Sequence, residues 1–178
     1  MENTITKKII SQLIALNVVT HDEVLRIKRE VLHSSGVEQP GNAKLIATYR
    51  EMVASQEIAP SKTLERLLQR AEIRSLSGIS VLTVLTKPYA CPGKCVYCPT
   101  ESIMPKSYLS NEPAAQRAFR NKFDPWMQIA NRICMLEGNG HNVEKIELIV
   151  KGGTWNAYRY DYQLWFIRRC FEVCNSYE

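Results

Sequence analysis

Two short apolar runs constrain this chain most. Residues 78–86 (GISVLTVLT) and 144–150 (EKIELIV) are rich in β-branched side chains, and the first is apolar on both faces. A strand with one wetted face alternates, whereas a run like this suits a strand covered on both sides, as in a parallel sheet. Parallel neighbours need a long crossover, and helix signals lie between the runs. Pro113 sits at one helix start; Asp124-Pro125 opens another that reaches about Glu137 and closes at GNGH, with Gly140 near the left-handed cap position. After the second run comes KGGT, and Asp161 opens a last helix containing YQLWFIRRCFEVC. Strand, loop, helix, strand, glycine turn and helix make two βα units, so an α/β fold with a parallel, buried sheet is expected. Two strands cannot close a barrel, and the last helix runs out without a cap. The chain is therefore expected to be the leading part of a longer protein.

The first 75 residues have a different period. Ile5, Ile9, Leu13 and Leu16, with Ile10 and Ile14 beside them, follow the helical spacing. Thr20 and Glu23 in THDE form a capping box for a second helix ending near Leu32, and HSSGVEQPGN then breaks the chain. A third helix is expected over 43–54, and a fourth after APS with Leu64, Leu67, Leu68 and Ala71 on one face. The expected division is a helical domain, 1–75, and an α/β part, 76–178. Lys7 and Lys8 before IISQLIALNVV imitate a signal peptide, but Ser11, Gln12 and Asn17 interrupt the run and no small-x-small site follows. No run approaches the ~20 apolar residues of a membrane span, so a soluble, cytoplasmic protein is expected. Net charge is +5, a mild bias compatible with an anionic partner such as RNA, although charge alone favours an ordinary solvated surface.

Three of the six cysteines fall in KPYACPGKCVYCP, spaced C-x3-C-x2-C directly after the first strand. In parallel α/β folds the loops at the carboxyl ends of strands hold the active site. Three thiolates can ligate three irons of a 4Fe–4S cubane and leave the fourth open. A closed zinc site wants four ligands, usually as two short pairs; Cys134 in mid-helix and His141 in a turn are not obvious fourth ligands. An open-cornered cluster, zinc and plain buried thiols are the three readings. Cys170 and Cys174, one turn apart among Leu164, Ile167 and Phe171, read as buried thiols, as does Cys134 among Ile129, Ile133 and Leu136. Trp126, Trp155 and Trp165 read as packing residues, and His21 and His33 have no partner in view.

The cysteine motif, with the aromatic Tyr97 before its last member, resembles the radical S-adenosylmethionine (SAM) enzymes. The resemblance implies that Cys91, Cys95 and Cys98 bind a 4Fe–4S cluster whose open iron chelates SAM's methionine moiety. One electron then breaks the sulfonium C–S bond to give a 5′-deoxyadenosyl radical. It also implies that Tyr97 lies near the adenine. Gly152-Gly153-Thr154 stands where that family usually has Gly-Gly-Glu, the turn that holds the methionine amino group; the threonine removes a carboxylate.

RSLSGISVLTVLTKPYACP, CVYCP, SYLSNEPAAQRAFRNKFDPW and GHNVEKIELIVKGGTW together resemble the catalytic subunit of Elongator, a family that carboxymethylates tRNA wobble uridine. The likeness runs from Arg74 to about Cys174. It implies a helical tRNA-binding region followed by the first βα units of a radical SAM (β/α) barrel, with SAM and acetyl-CoA as cofactor and co-substrate. The SAM-derived radical acts on the methyl of acetyl-CoA, and the resulting carbon radical adds to C5 of uridine. Lys145, the lysine of G-H-x-V-x-K, is implied in acetyl-CoA binding. Arg117, Arg120 and Lys122 are candidates for tRNA phosphates. Only Pro92-Gly93-Lys94 separate the first two cysteines, where many members carry an insertion. The family's acetyltransferase-like domain and remaining barrel strands are missing here, so the polypeptide as given is expected not to complete the reaction. The alternatives are a zinc-containing, non-catalytic RNA-binding module and a radical SAM enzyme of another reaction type, such as methylthiolation.

Overall fold

The computed structural model describes residues 2–33, 35 and 38–176. They form two compact units, Met1–Gly78 with Met135–Val143, and Ile79–Cys134 with Glu144–Glu178.

The first unit is helical: α1 (Glu2–Ala15), α2 (His21–Leu32), α3 (Asn42–Ala54), α4 (Lys62–Leu68) and a 3₁₀ turn, Glu72–Ser75. Ile9, Ile10, Leu13, Val24, Ile27, Leu45 and Leu68 form its core. The capping box is present: the Glu23 backbone N–H donates to Thr20 Oγ1, and the Thr20 backbone N–H donates to the Glu23 carboxylate. The predicted stripes overrun their helices at the carboxyl ends. Leu16 lies beyond α1 and is exposed, and Ala71 lies beyond α4 in left-handed backbone, φ 57°. Ser34, Gly36 and Val37 of the expected break lie outside the described residues.

A buried polar tie links three of these helices. Lys28 of α2, 3% exposed, donates from Nζ to Asn42 Oδ1 at 2.9 Å, and Asn42 Nδ2 donates to the Leu68 carbonyl at 3.0 Å. Burial pushes the Lys28 ammonium below its ordinary value. A second tie joins His141 to the 3₁₀ turn: its Nδ1 lies 2.7 Å from Ser75 Oγ and 3.1 Å from Gln69 Nε2. Gly140 beside it has φ 86°, and a Cβ there would meet Ile46 and the Gln69 backbone.

The second unit holds a two-stranded parallel sheet, β1 (Ser80–Leu85) and β2 (Ile146–Lys151), registered Ser80↔Ile146 to Leu85↔Lys151. Its helices are α5 (Pro113–Arg120), α6 (Pro125–Gly138, whose last turn belongs to the first unit) and α7 (Tyr160–Asn175). Mixed helix and parallel strand agree with the expected class, but the covering of the strands does not. Leu82 and Val84 are buried on one face of β1; on the other, Leu85 is covered by Met104, Ala115 and Ala118 while Val81 is exposed. β2 is only half-buried along its length. The second face is closed only near the strands' carboxyl ends, where α5 and the preceding loop reach it. Gln128 of α6 finishes the free edge of β1: Oε1 accepts from the Leu85 N–H and Nε2 donates to the Leu85 carbonyl, both at 2.9 Å.

The buried stripe of α7 also differs from expectation. Phe166, Cys170 and Val173 point inward, whereas Leu164 and Phe171 are 58% and 61% exposed. Cys170 is a buried thiol, pushed up to about 12 by desolvation, and Cys174 is half-buried. Cys134 is exposed: it follows Ile133, and one residue on a helix is a rotation of about 100°. Among the described residues no helix is long and apolar enough to cross a membrane.

Candidate active site

The strand register brings two loop roots together. The Thr86 N–H donates to the Lys151 carbonyl at 2.9 Å, extending the ladder one step beyond β1, so the cysteine loop and the glycine turn leave the sheet side by side. Tyr158 clamps them. Its hydroxyl donates to the Lys87 carbonyl at 2.7 Å and, having one proton, accepts from Thr86 Oγ1, also at 2.7 Å. Its ring stacks on Tyr89 and Tyr162, centroids 4.9 and 5.0 Å away. The Tyr162 hydroxyl accepts from the Lys87 N–H, and the Lys87 ammonium lies 4.6 Å from the Tyr162 ring centroid. Burial raises both phenols, Tyr162 to about 12.

The two glycines are closed against the protein itself. A Cβ on Gly152 would sit 2.0 Å from Thr86 Oγ1, and one on Gly153 would sit 3.3 Å from Lys106 Cβ. The next residue, Thr154, places Oγ1 3.0 Å from Cys91 Sγ. The Gly93 N–H also donates to that sulfur, at 3.4 Å. The Thr154 bond, then the Gly93 N–H, hold the Cys91 thiol below its ordinary value, and the Lys106 charge adds to this. Lys106 Nζ itself donates to Thr100 Oγ1. A cavity of about 460 Å³ opens beside the turn, lined by Thr86, Tyr108, Gly152, Gly153, Trp155 and Tyr158 among others.

The structure partly gathers the predicted ligands. The Sγ atoms of Cys91 and Cys95 flank the same glycine: a Cβ on Gly93 would lie 3.5 and 3.7 Å from them. Cys98 follows one turn later, its N–H donating to the Cys95 carbonyl at 3.4 Å, and such a turn holds the first and last Cα within about 7 Å. Among the described residues no three Cys, His, Asp or Glu side chains are already drawn together for a metal. The donor set still fits an iron–sulfur cluster: three cysteines outside any disulfide on one accessible loop, one of them biased toward the thiolate that ligation requires. His141 is buried with Nδ1 engaged by Ser75 and Gln69, in the other unit.

Tyr97 sits at the loop tip, 90% exposed. Lys145, whose carbonyl accepts from the Ser80 N–H, is exposed just before β2. Along a strand rising about 3.3 Å per residue that is roughly 20 Å from Gly152, so the sheet does not bring the two together. Arg117 and Arg120 lie three apart on α5, hence on one helical face; Lys122 follows in left-handed backbone, φ 52°. Sequence reasoning missed Thr86, Lys106, Tyr108 and Tyr158. Only Tyr158 had a visible signal, its four-residue spacing from Tyr162.

No protein-family model matches the chain. A protein of Methanocaldococcus infernus named tRNA uridine(34) acetyltransferase is 38% identical over 98% of this chain and 30% of its own length. A protein of the same name from Dehalococcoides mccartyi is 40% identical over 58% of this chain and 22% of its own. Human Elongator complex protein 3 is 37% identical over 65% of this chain and 23% of its own. The chain thus spans less than a third of the length of these relatives.

Proposed function

The chain belongs to the family of the proteins named tRNA uridine(34) acetyltransferase and Elongator complex protein 3, matching a segment of each, and from that premise we propose that it carries the cluster-binding part of a radical SAM enzyme that carboxymethylates tRNA wobble uridine with acetyl-CoA. In this reading the two βα units open a (β/α) barrel, and residues 1–75 form a tRNA-binding helical region. Cys91, Cys95 and Cys98 hold a 4Fe–4S cluster, and Cys91 is already biased toward the deprotonated form that ligation needs. When bound, the cluster supplies the electron that cleaves the sulfonium bond of SAM.

The remaining roles fall to the chain's own side chains. Tyr97 and the turn Gly152-Gly153-Thr154 border SAM, Tyr97 from the loop tip and the turn from beside the cavity. The stacked tyrosines hold the loop root in one place, with the buried Tyr158 bonded to both Thr86 and Lys87. Lys145 serves acetyl-CoA. Arg117 and Arg120, presented from one face of α5, serve tRNA phosphates together with Lys122.

The observation that carries this reading is the 3.0 Å contact joining the cysteine loop of one βα unit to the glycine turn of the next. Anaerobic reconstitution with iron and sulfide tests it. The expected product is brown, with about four irons per chain, and replacing Cys91, Cys95 or Cys98 by serine abolishes the colour. A colourless protein with one zinc refutes the reading in favour of a zinc-containing RNA-binding module. Radiolabelled tRNA, retained on a filter by the chain and released by salt, tests the partner.

A further inference from the structure

We propose that Thr154 is a positioning residue whose hydroxyl donates to the ligating sulfur of Cys91 and thereby sets the reduction potential of the cluster. The inference rests on the cluster reading above and adds to it a role for one residue of the turn.

Oγ1 of Thr154 and Sγ of Cys91 lie 3.0 Å apart, and while the thiol keeps its proton either atom can donate. A sulfur that ligates iron has no proton, so the hydroxyl alone can then supply the hydrogen. The Gly93 N–H is the second donor, at 3.4 Å. Among the described residues the sulfurs of Cys95 and Cys98 receive no such bond. The polar support is therefore concentrated on one corner of the ligand set, and the Thr154 hydroxyl arrives there from the neighbouring βα unit.

Thr154 is held where it can do this. Gly152 is packed on Thr86, Gly153 on Lys106, and the Thr154 carbonyl accepts from the Ala157 N–H at 3.0 Å. The residue type matters as well as the place. A glutamate carboxylate at this position has only lone pairs to offer a thiolate and would repel it. A threonine hydroxyl offers a neutral donor. Adding one electron to a cluster makes it more negative, so a hydrogen bond to its sulfur stabilises the reduced form more than the oxidised one and raises the potential.

The test is a one-electron potentiometric titration of the reconstituted chain with dithionite, followed by the electron paramagnetic resonance of the reduced cluster. Thr154→Val, which keeps shape and loses the hydroxyl, is expected to hold as much iron as wild type. At a fixed potential its reduced-to-oxidised ratio falls about tenfold, a shift of about 59 mV to more negative values for one electron. Thr154→Ser returns the midpoint to that of wild type. Should Thr154→Val fail to load iron, Thr154→Ala replaces it under the same criterion. An iron-loaded variant with the wild-type midpoint overturns the proposal and leaves the cluster reading standing, as does a serine variant that loads fully and stays shifted. A wild-type chain that takes up no iron overturns both.

Discussion

Gly152→Ala isolates the packing that joins the two loop roots. Gly152 does not lie in the left-handed region, so alanine is acceptable to the backbone and the cost is steric. The new methyl would stand 2.0 Å from Thr86 Oγ1 and 3.2 Å from Thr86 Cβ. Thr86 is buried, and its hydroxyl is fixed by Tyr158 at 2.7 Å. Relief requires a displacement of more than an ångström or a rotamer that breaks the Tyr158 bond. Overpacking of this kind costs about 1–3 kcal/mol, and a lost buried hydrogen bond adds about 1 kcal/mol. Gly152→Ala is therefore expected to destabilise the second unit by about 3 kcal/mol.

Thr86→Ala removes the clashing atom and leaves only the Cβ contact at 3.2 Å, which a shift of a few tenths of an ångström relieves. Alone it costs about 1 kcal/mol for the hydroxyl bond. Gly152→Ala made on that background is expected to cost less than 1 kcal/mol, so the double-mutant cycle shows a coupling of about 2 kcal/mol. Urea unfolding followed by tryptophan fluorescence reads this unit selectively, because Trp126, Trp155 and Trp165 all lie within it. Equal costs of Gly152→Ala in both backgrounds would refute the reasoning and make the glycine a requirement of something other than Thr86.

Three further outcomes are expected. Gln128→Leu leaves the Leu85 N–H and carbonyl without their partner inside the unit and lowers stability by about 3 kcal/mol in the same fluorescence assay. Absorbance at 295 nm is expected to show one phenol ionising at about 12, and Tyr162→Phe removes that step; its persistence would assign the step to a different tyrosine. Relative to wild type, Lys28→Met is expected to fare best near neutrality, where the buried ammonium costs most, read by circular dichroism in urea. The native value of Lys28 is depressed, so between it and the unfolded value near 10.5 the unfolded chain binds more protons and wild-type stability rises with pH. The relative stability of Lys28→Met accordingly falls as pH rises through that alkaline window.

The elements were readable from local pattern to within a few residues: 78–86 contains β1, 144–150 overlaps β2, and the capping box marks the start of α2. Faces were less readable where a helix is apolar all round. In α7, Leu164, Trp165, Phe166, Ile167, Phe171 and Val173 offer two stripes of similar quality, and the one that is buried runs through Phe166, Cys170 and Val173. Half-burial of β2 was hidden for a related reason, because an apolar run reads alike whether or not a helix covers it.

The site was legible in its parts and not in its contacts, and the register explains why. C-x3-C-x2-C and Gly-Gly-Thr are visible as motifs, but their meeting depends on Leu85 pairing with Lys151. With that pairing, the Thr86 side chain occupies the place of a Gly152 Cβ, Tyr158 reaches both Thr86 and Lys87, and Thr154 comes within 3.0 Å of Cys91. A slip of one residue would turn the Thr86 side chain to the other face and separate all of these pairs. The glycine that a motif search credits to ligand approach thus also acts as a register key: it admits Thr86 at one pairing of the strands, and that pairing aligns the cysteine loop with its hydrogen-bond donor.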